Sequence, residues 1–328
     1  MSFQDIKGQD RAISILQSYL RQQSGASSYL FIGPQGLGKF LTAKTLAKAV
    51  NCLKESTDAC ERCAYCLKIE KNQHPDVHII DICAFKPEEA PTDVDSQAIK
   101  IEYIRQLQKD INLKPYEARK KVFIINDAHN LTAEASNALL KTLEEPPQNS
   151  LIILVTSKAD LLFKTIISRC QIIKFSPLKR SQLEEIIRRD YSLDENLAHF
   201  LAYFCEGRIG QALVLKDKGI LIEKNRIIDE IILLPKPGPD YRKGPDREEL
   251  RKYLNILATW FRDIYLLKIG MPHAELINFD RKKELLRSMG NYSFGALDEI
   301  IRFISDALLY LEQNINPKLL LSNLKVAI

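Results

Sequence analysis

Residues 28–39 have the sequence SYLFIGPQGLGK, a short apolar run that leads directly into a glycine-rich turn ending in lysine. The apolar run predicts a buried strand, and the helical periodicity of residues 39–51 predicts a helix after the turn. The turn fits the pattern G-x-x-x-x-G-K in the strand–loop–helix context which that pattern requires. Backbone N–H groups of such a loop, together with the start of the helix, hold phosphate oxygens. This stretch therefore predicts a P-loop α/β domain.

The P-loop supplies the candidate phosphate-binding residues, but one metal ligand is missing from it. The candidates are Gly33, Gly36, Gly38 and Lys39, and the lysine would reach the β- and γ-phosphates of a nucleotide. The next residue should be Ser or Thr, whose hydroxyl holds Mg²⁺, but it is Phe40. The loop therefore predicts nucleotide-binding ancestry without a complete metal site.

A second predicted strand shows the same loss of metal ligands. Residues 122–125 are apolar, and Asn126 and Asp127 follow them. An active ATPase of this type has Asp and then Glu there, to position Mg²⁺ and to activate water. Asn126 carries no charge, and Asp127 is one methylene shorter than Glu. We therefore expect little ATP hydrolysis, and the sequence leaves open whether ATP and Mg²⁺ bind at all.

Four cysteines lie within fifteen residues in the spacing C-x7-C-x2-C-x2-C, namely Cys52, Cys60, Cys63 and Cys66. Four thiolates at this spacing suit one tetrahedral Zn²⁺ ion. Disulfide formation is the alternative, which a reducing cytosol disfavours. Because all four ligands would be cysteines and no position stays open, the predicted zinc is structural rather than catalytic. A direct role of this module in binding DNA is a further alternative.

Composition predicts a globular protein of two or three domains, with 328 residues of which 45% are hydrophobic. The 47 Lys and Arg residues exceed the 42 Asp and Glu residues, so the net charge is +5. This excess is too small for a polybasic nucleic-acid coat, although it is compatible with contact to nucleic acid. No apolar run is long enough to span a membrane, and the N-terminus lacks a secretory signal. We therefore expect a cytoplasmic protein without a membrane span.

Alternating strand and helix patterns up to residue 176 predict an α/β domain over 1–176, which contains the zinc module at 52–66. Only helical patterns follow, so we expect a small helical domain over 177–234 and a helical C-terminal domain over 246–328. Prolines and glycines between them predict a linker over 235–245. The strand patterns are 28–32, 77–81, 122–126, 151–156 and 171–175, and the helical patterns among them are 39–51, 99–110, 132–145 and 159–167.

Three further motifs are specific in combination. Residues 135–147 have the sequence ASNALLKTLEEPP, Thr156 ends the next predicted strand, and Ser168-Arg169-Cys170 follows. With this spacing the chain resembles the AAA+ clamp-loader subunits of bacterial DNA polymerase III. The resemblance implies an α/β AAA+ P-loop domain with a parallel sheet and helices on both faces. A small helical lid domain and an all-α collar domain, through which the subunits assemble, are implied to follow it.

The resemblance also implies roles for individual residues and for the chain. Thr156 corresponds to the family's sensor residue, and Arg169 to an arginine finger that enters the neighbouring subunit's ATP site. Gly210 stands where the family's motor subunit has a second sensor arginine. The implied protein is a rigid, largely ATPase-deficient subunit that works with the gamma/tau and delta subunits. Together they load the sliding clamp, called beta, onto primed DNA.

Two other functions stay open at this point. The chain is alternatively an active ATPase motor of the gamma/tau type, in which Lys39 and Asp127 suffice for turnover. It is alternatively a stand-alone zinc protein that binds nucleic acid, which would show salt-sensitive DNA affinity without partners.

Overall fold

The structure is a computed structural model that describes residues 1–22, 26–54, 57–81, 98–233, 247–272 and 276–313. The chain divides into two compact units. The first consists of Met1–Leu178 and Arg208–Gly210, and the second of Lys179–Gly207 and Gln211–Ile328. The predicted linker at 235–245 lies outside the described residues. The predicted division into three domains stays a prediction.

A five-stranded parallel sheet lies at the centre of the first unit, in the order β2-β3-β4-β1-β5. Every strand pairs with its neighbours in parallel, so all five carboxyl ends lie at one edge of the sheet. The strand that leads into the P-loop, β1, lies between β4 and β5. The strands are β1 (Ser28–Ile32), β2 (Val77–Ile80), β3 (Lys121–Ile125), β4 (Ser150–Thr156) and β5 (Gln171–Lys174).

Helices cover both faces of the sheet because alternate strand residues point to opposite sides. Phe31 of β1 lies in the same apolar core as Leu16 and Leu46 of the first two helices. Its neighbour Leu30 lies in a second core with Leu139 of a later helix. This arrangement confirms the predicted fold class. The helices of the first unit are α1 (Asp10–Gln22), α2 (Lys39–Asn51), α3 (Ala64–Glu70), α4 (Ile101–Ile111), α5 (Ala133–Glu144) and α6 (Lys164–Ile167).

The helix predicted over 159–167 is wrong in its middle. A 3₁₀ turn at Ala159–Leu161 and the short helix α6 are separated by Leu162 and Phe163, whose backbones are extended. Leu162 is nevertheless buried in the same core as Ile166, so the apolar spacing reflects burial without a continuous helix. Periodicity alone cannot distinguish these two arrangements over so short a stretch.

The described part of the second unit is helical, as the sequence predicts. The buried Lys224 donates from Nζ to the partly buried Asp280 at 2.6 Å, and the buried Asp263 carboxylate accepts the backbone N–H of Asn278 at 2.7 Å. None of the described helices combines the length and apolar character needed to cross a bilayer. The helices of the second unit are α7 (Arg180–Tyr191), α8 (Glu195–Phe204), α9 (Ile209–Asp217), α10 (Ile220–Ile228), α11 (Arg247–Lys268), α12 (Lys282–Met289) and α13 (Phe294–Glu312). The first two residues of α9 belong to the first unit.

Candidate phosphate site, cysteine centre and arginine finger

The predicted phosphate-site residues lie together at the carboxyl edge of the sheet. Gly33 directly follows β1, and Asn126 and Asp127 directly follow β3. Thr156 ends β4 and is paired in register with Ile32, the last residue before the P-loop. Ligand sites of open parallel sheets form at this edge, so the fold places the candidate residues where a nucleotide site belongs.

The lysine of the P-loop forms hydrogen bonds within the loop itself. Lys39 is buried, and its ammonium group donates to the carbonyl oxygens of Gly33 and Pro34, at 2.6 Å each. Gly36 and Gly38 have φ angles of 83° and 80°, a left-handed conformation that glycine adopts without strain. Burial lowers the pKa of Lys39 to about 8, against the opposing charge of Asp127. The lysine therefore remains mostly charged at neutral pH and is already bonded within the loop.

The position that should hold Mg²⁺ is occupied by an apolar ring. Phe40 packs against the core on the α1–α2 face of the sheet. The nearest hydroxyl along the helix, on Thr42, donates to the carbonyl of Gly38 at 2.8 Å. The loop therefore has the backbone shape that suits phosphate but lacks the hydroxyl that would hold the metal at residue 40.

The end of β3 carries a hydrogen-bonded polar cluster. The Asn126 side-chain amide donates to Asp81 at 3.2 Å and lies 3.5 Å from an oxygen of Asp127. The Thr156 hydroxyl lies 3.2 Å from Nδ1 of His129 and accepts from the backbone N–H of Lys158 at 3.1 Å. Burial lowers the pKa of His129. Sequence reasoning did not identify Asp81 or His129, because neither belongs to a pattern of fixed spacing.

Gly210 contacts the P-loop directly. Its backbone N–H donates to the carbonyl oxygen of Gly36 at 2.8 Å. A Cβ atom at residue 210 would lie 2.9 Å from that oxygen, closer than side chains normally approach backbone. The position thus favours glycine in this conformation of the loop. The family resemblance implies that glycine stands here in place of an arginine, but it does not imply that the glycine binds the loop.

The four cysteines converge as the spacing predicts. Their sulfur atoms all lie within 4.8 Å of one another, and no disulfide bond joins any of the four. A tetrahedral zinc site with Zn–S bonds of about 2.3 Å requires sulfur–sulfur separations of about 3.8 Å, so the cluster fits one ion. Cys63 caps the start of α3, where its sulfur accepts the backbone N–H of Cys66 at 3.4 Å. The identity of the metal stays a prediction.

Arg169 lies just after α6, with its side chain about one-third exposed (33%). One guanidinium nitrogen donates to the carbonyl oxygen of Thr165 at 3.0 Å, and the other terminal nitrogen pairs with the carboxylate of Glu144. Glu144 is the last residue of α5, within the motif ASNALLKTLEEPP. Sequence reasoning selected Arg169 but missed this partner. The remaining N–H groups of the guanidinium provide further donors for an anion.

The fold and the P-loop together define a P-loop protein with a five-stranded parallel sheet. Comparison with known sequences narrows this class. A profile described as "DNA polymerase III, delta subunit" matches residues 8–179, and one for the C-terminal region of that subunit matches residues 245–326. The chain therefore belongs to the DNA polymerase III delta-subunit family, within the clamp-loader proteins.

Curated relatives include more than one subunit of this polymerase. The chain is 35% identical over 195 residues to subunit delta′ of Bacillus subtilis, an alignment that covers 59% of this chain and 55% of that protein. It is 34% identical over 227 residues to subunit tau of the same organism, covering 66% of this chain and 38% of that protein. The chain thus spans about half or less of the length of these relatives.

Solved structures with a similar chain path include two from Thermotoga maritima. A DNA polymerase III gamma subunit-related protein has a TM-score of 0.45 and 17% identity, covering 96% of this chain and 97% of that one. The RuvB Holliday junction branch migration motor has a TM-score of 0.42 and 18% identity, covering 86% of this chain and 88% of that one.

Proposed function

We propose that the chain is a cytoplasmic delta′-type subunit of a bacterial DNA polymerase III clamp loader, with little ATPase activity of its own. The single observation that carries this proposal is that Phe40 stands at the metal-ligand position after the P-loop and packs against the core. The second metal-ligand position holds Asn126, whose neutral amide lacks the negative charge of a carboxylate and donates to Asp81. The 35% identity to a delta′ subunit agrees with this assignment.

Its own nucleotide site would then keep the phosphate-binding residues without catalysing ATP hydrolysis. Gly33, Gly36, Gly38 and Lys39 would contact any phosphate, and Asp127 and Thr156 would lie beside it. Two of the three N–H donors of Lys39 already bond loop carbonyls, so an incoming phosphate must compete with those bonds for the ammonium group. ATP would therefore bind weakly.

Arg169 would act in the ATP site of a neighbouring subunit. It is exposed in part and is held by Glu144 and the Thr165 carbonyl at the end of α6. A guanidinium supplied in trans stabilises the charge that develops during phosphoryl transfer, and raises hydrolysis by about 10³–10⁵-fold. The chain would thus complete the active ATP site of a neighbouring subunit, while its own nucleotide site is inactive.

The remaining parts would serve assembly. The helical C-terminal region, over 246–328, would form a collar with the gamma/tau and delta subunits, and the helices of 177–234 would form the lid. The assembled ring would load the sliding clamp beta onto primed DNA. Zn²⁺ held by Cys52, Cys60, Cys63 and Cys66 would be structural.

ATP turnover, measured first on the purified chain and then on the reconstituted loader, tests this proposal. We expect no turnover by the chain alone. Arg169→Ala should lower the DNA-stimulated ATPase of the assembled loader at least tenfold, about 1.4 kcal/mol or more in activation free energy. Arg21→Ala, a change of the same charge in the last turn of α1, should have no effect. An assembly whose hydrolysis is unchanged by Arg169→Ala would contradict the proposal.

An active motor of the gamma/tau type is the second candidate, because the chain is 34% identical to a tau subunit and keeps Lys39 near Asp127. This function requires turnover by the purified chain that Lys39→Ala abolishes. The same assay of the isolated chain therefore separates the two candidates.

A further inference from the structure

The cysteine module, residues 52–66, contacts the N-terminal segment of the chain. Metal binding by the four cysteines does not by itself explain these contacts. We propose that the metal-bound module is the docking site of the N-terminal segment, Met1–Gln9, so that metal occupancy decides whether this segment is fixed on the P-loop domain. The inference rests on the metal site proposed above.

Two acidic residues between the cysteines connect the module to the segment. The Asp58 carboxylate accepts the backbone N–H of Phe3 at 2.9 Å. Glu61 accepts from Lys48 Nζ at 2.7 Å, and the same ammonium donates to the carbonyl oxygen of Met1 at 2.8 Å. Lys48 is fully buried on α2, so its charge depends on these partners and on Glu70, also at 2.7 Å.

The segment continues from the module into the core and reaches the end of the first unit. Phe3 and Ile6 are buried in the core on the α1–α2 face of the sheet. The Gln9 side chain then bonds both backbone groups of Ser176, donating to its oxygen at 2.8 Å and accepting from its N–H at 3.2 Å. Met1–Gln9 thus forms a strap between the cysteine module and the residues that follow β5.

The described residues of the loop that carries Asp58 and Glu61 contribute to only one small apolar cluster. Its apolar cluster is separate from both cores of the sheet, and its buried members are Cys52, Ala59, Cys63 and Cys66. Three of these four are proposed metal ligands, so the metal replaces the apolar core that this loop lacks. By contrast, α3 is anchored independently, because Ile69 lies in the core of the sheet.

Loss of the metal should therefore release the loop while α3 stays in place. Asp58 and Glu61 would then lose their fixed positions, and the Phe3 N–H and Lys48 would lose their partners in the module. The strap would detach from the module, and the first unit would keep its sheet.

Hydrogen exchange of the full chain tests this coupling, with zinc content measured on each sample. Removing zinc with a chelator should accelerate exchange of residues 1–9 about tenfold or more, as expected when a hydrogen bond to a charged group is lost. Exchange in β4 should not change. Asp58→Ala should produce the same acceleration while it retains one zinc per chain, which separates docking from metal binding.

Glu134→Ala is the matched control, because it removes the same charge from the exposed first turn of α5. It should leave both zinc content and exchange unchanged. A zinc-free chain that keeps slow exchange at Phe3 and Ile6 would overturn the inference. Slow exchange at the same two residues in a zinc-loaded Asp58→Ala chain would overturn it too. A chain that binds no zinc would overturn the metal site as well, whereas zinc binding with unchanged exchange overturns the docking alone.

Discussion

At the scale of single residues, the P-loop keeps its backbone shape while its side chains have lost the metal chemistry. The left-handed glycines preserve the loop, and Lys39 bonds the carbonyl oxygens of Gly33 and Pro34. The backbone N–H of Gly210 bonds a third carbonyl, that of Gly36. These three carbonyl oxygens of the loop are therefore hydrogen-bonded by groups of the protein itself. The bonds hold the loop in place without a bound nucleotide.

Replacing Gly210 with alanine should destabilise the protein, although alanine is the better helix former. The new Cβ atom would lie 2.9 Å from the Gly36 oxygen, so the loop must move and the hydrogen bond must lengthen. We expect a loss of about 1–2 kcal/mol in the free energy of unfolding, measured by urea denaturation.

Gly295→Ala provides the matched control, because Gly295 is also the second residue of a helix, α13. A Cβ atom at residue 295 would lie 3.9 Å from its nearest neighbour, the Ser293 hydroxyl oxygen. There we expect no loss and a gain of up to about 1 kcal/mol from helix propensity. Equal effects at residues 210 and 295 would contradict the close contact with the P-loop.

The buried Lys39 should make stability depend on pH in the alkaline range. Its pKa is about 8 in the folded chain, against 10.5 for an exposed lysine, because burial disfavours the charge. Between these values the unfolded chain binds more protons, so stability rises with pH. Compared with Lys39→Met, the unmodified chain should gain about 2 kcal/mol from pH 7 to pH 9.5 in urea denaturation. Parallel pH profiles of the two proteins would refute this.

At the scale of elements, the connection between α4 and β3 is held by one buried carboxylate. Asp76 precedes β2 and accepts the backbone N–H groups of Tyr116, Glu117 and Ala118 at 2.8, 2.8 and 2.9 Å. Burial acts to raise the pKa of Asp76, but the three N–H donors outweigh it and lower the pKa. The connection is therefore fixed although the Tyr116 side chain is exposed.

Asp76→Ala should cost about 3 kcal/mol in the free energy of unfolding, because three backbone donors lose a charged acceptor. The loss should shrink as the pH falls below the unfolded pKa of aspartate, where the unfolded chain takes up the proton first. Asp110→Ala is the control, since its carboxylate accepts from the exposed Gln106 side chain at 3.1 Å, and it should cost less than about 1 kcal/mol. Chemical denaturation at pH 7 and at about pH 2.5, below the unfolded pKa of aspartate, measures both. Similar losses for the two variants at pH 7 would be inconsistent with this role of Asp76.

At the scale of the whole molecule, the proposed subunit depends on an inactive site in one place and an available arginine in another. Phe40 and Asn126 change two different metal-ligand positions: Phe40 is the second residue of α2, and Asn126 directly follows β3. Arg169 lies beyond β4, after α6. Because these positions are distinct, loss of metal binding at the chain's own site does not require loss of the proposed function of Arg169.

ATP with Mg²⁺ should barely stabilise the whole chain. If the dissociation constant is about 1 mM or weaker, then about 1 mM nucleotide contributes at most about 0.4 kcal/mol, which is a rise of about 1 °C or less in melting temperature. Thermal unfolding with and without ATP measures this, with Lys39→Ala as the control. A rise of several degrees that disappears in Lys39→Ala would reveal an intact nucleotide site.

The sequence by itself determined the elements and the chemistry that depend on local spacing. The strands of the sheet follow from apolar runs, the P-loop from its glycines and lysine, and the cysteine cluster from four residues within fifteen. These features are readable because strand and loop geometry impose short repeats on neighbouring residues. The family signature around residues 135–147 is recognised by its resemblance to known sequences, because it lies in one continuous stretch of chain.

Only the tertiary structure decided which distant residues meet. Asp76 holds residues 116–118, Gln9 bonds Ser176, and Gly210 bonds Gly36, across separations that no short pattern spans. These partners are set by the order of the strands and by the packing of buried polar groups, each of which must find a hydrogen bond wherever the fold brings one. For the same reason the hydrogen bond between the Phe3 N–H and Asp58 of the cysteine module could be seen only in the folded chain.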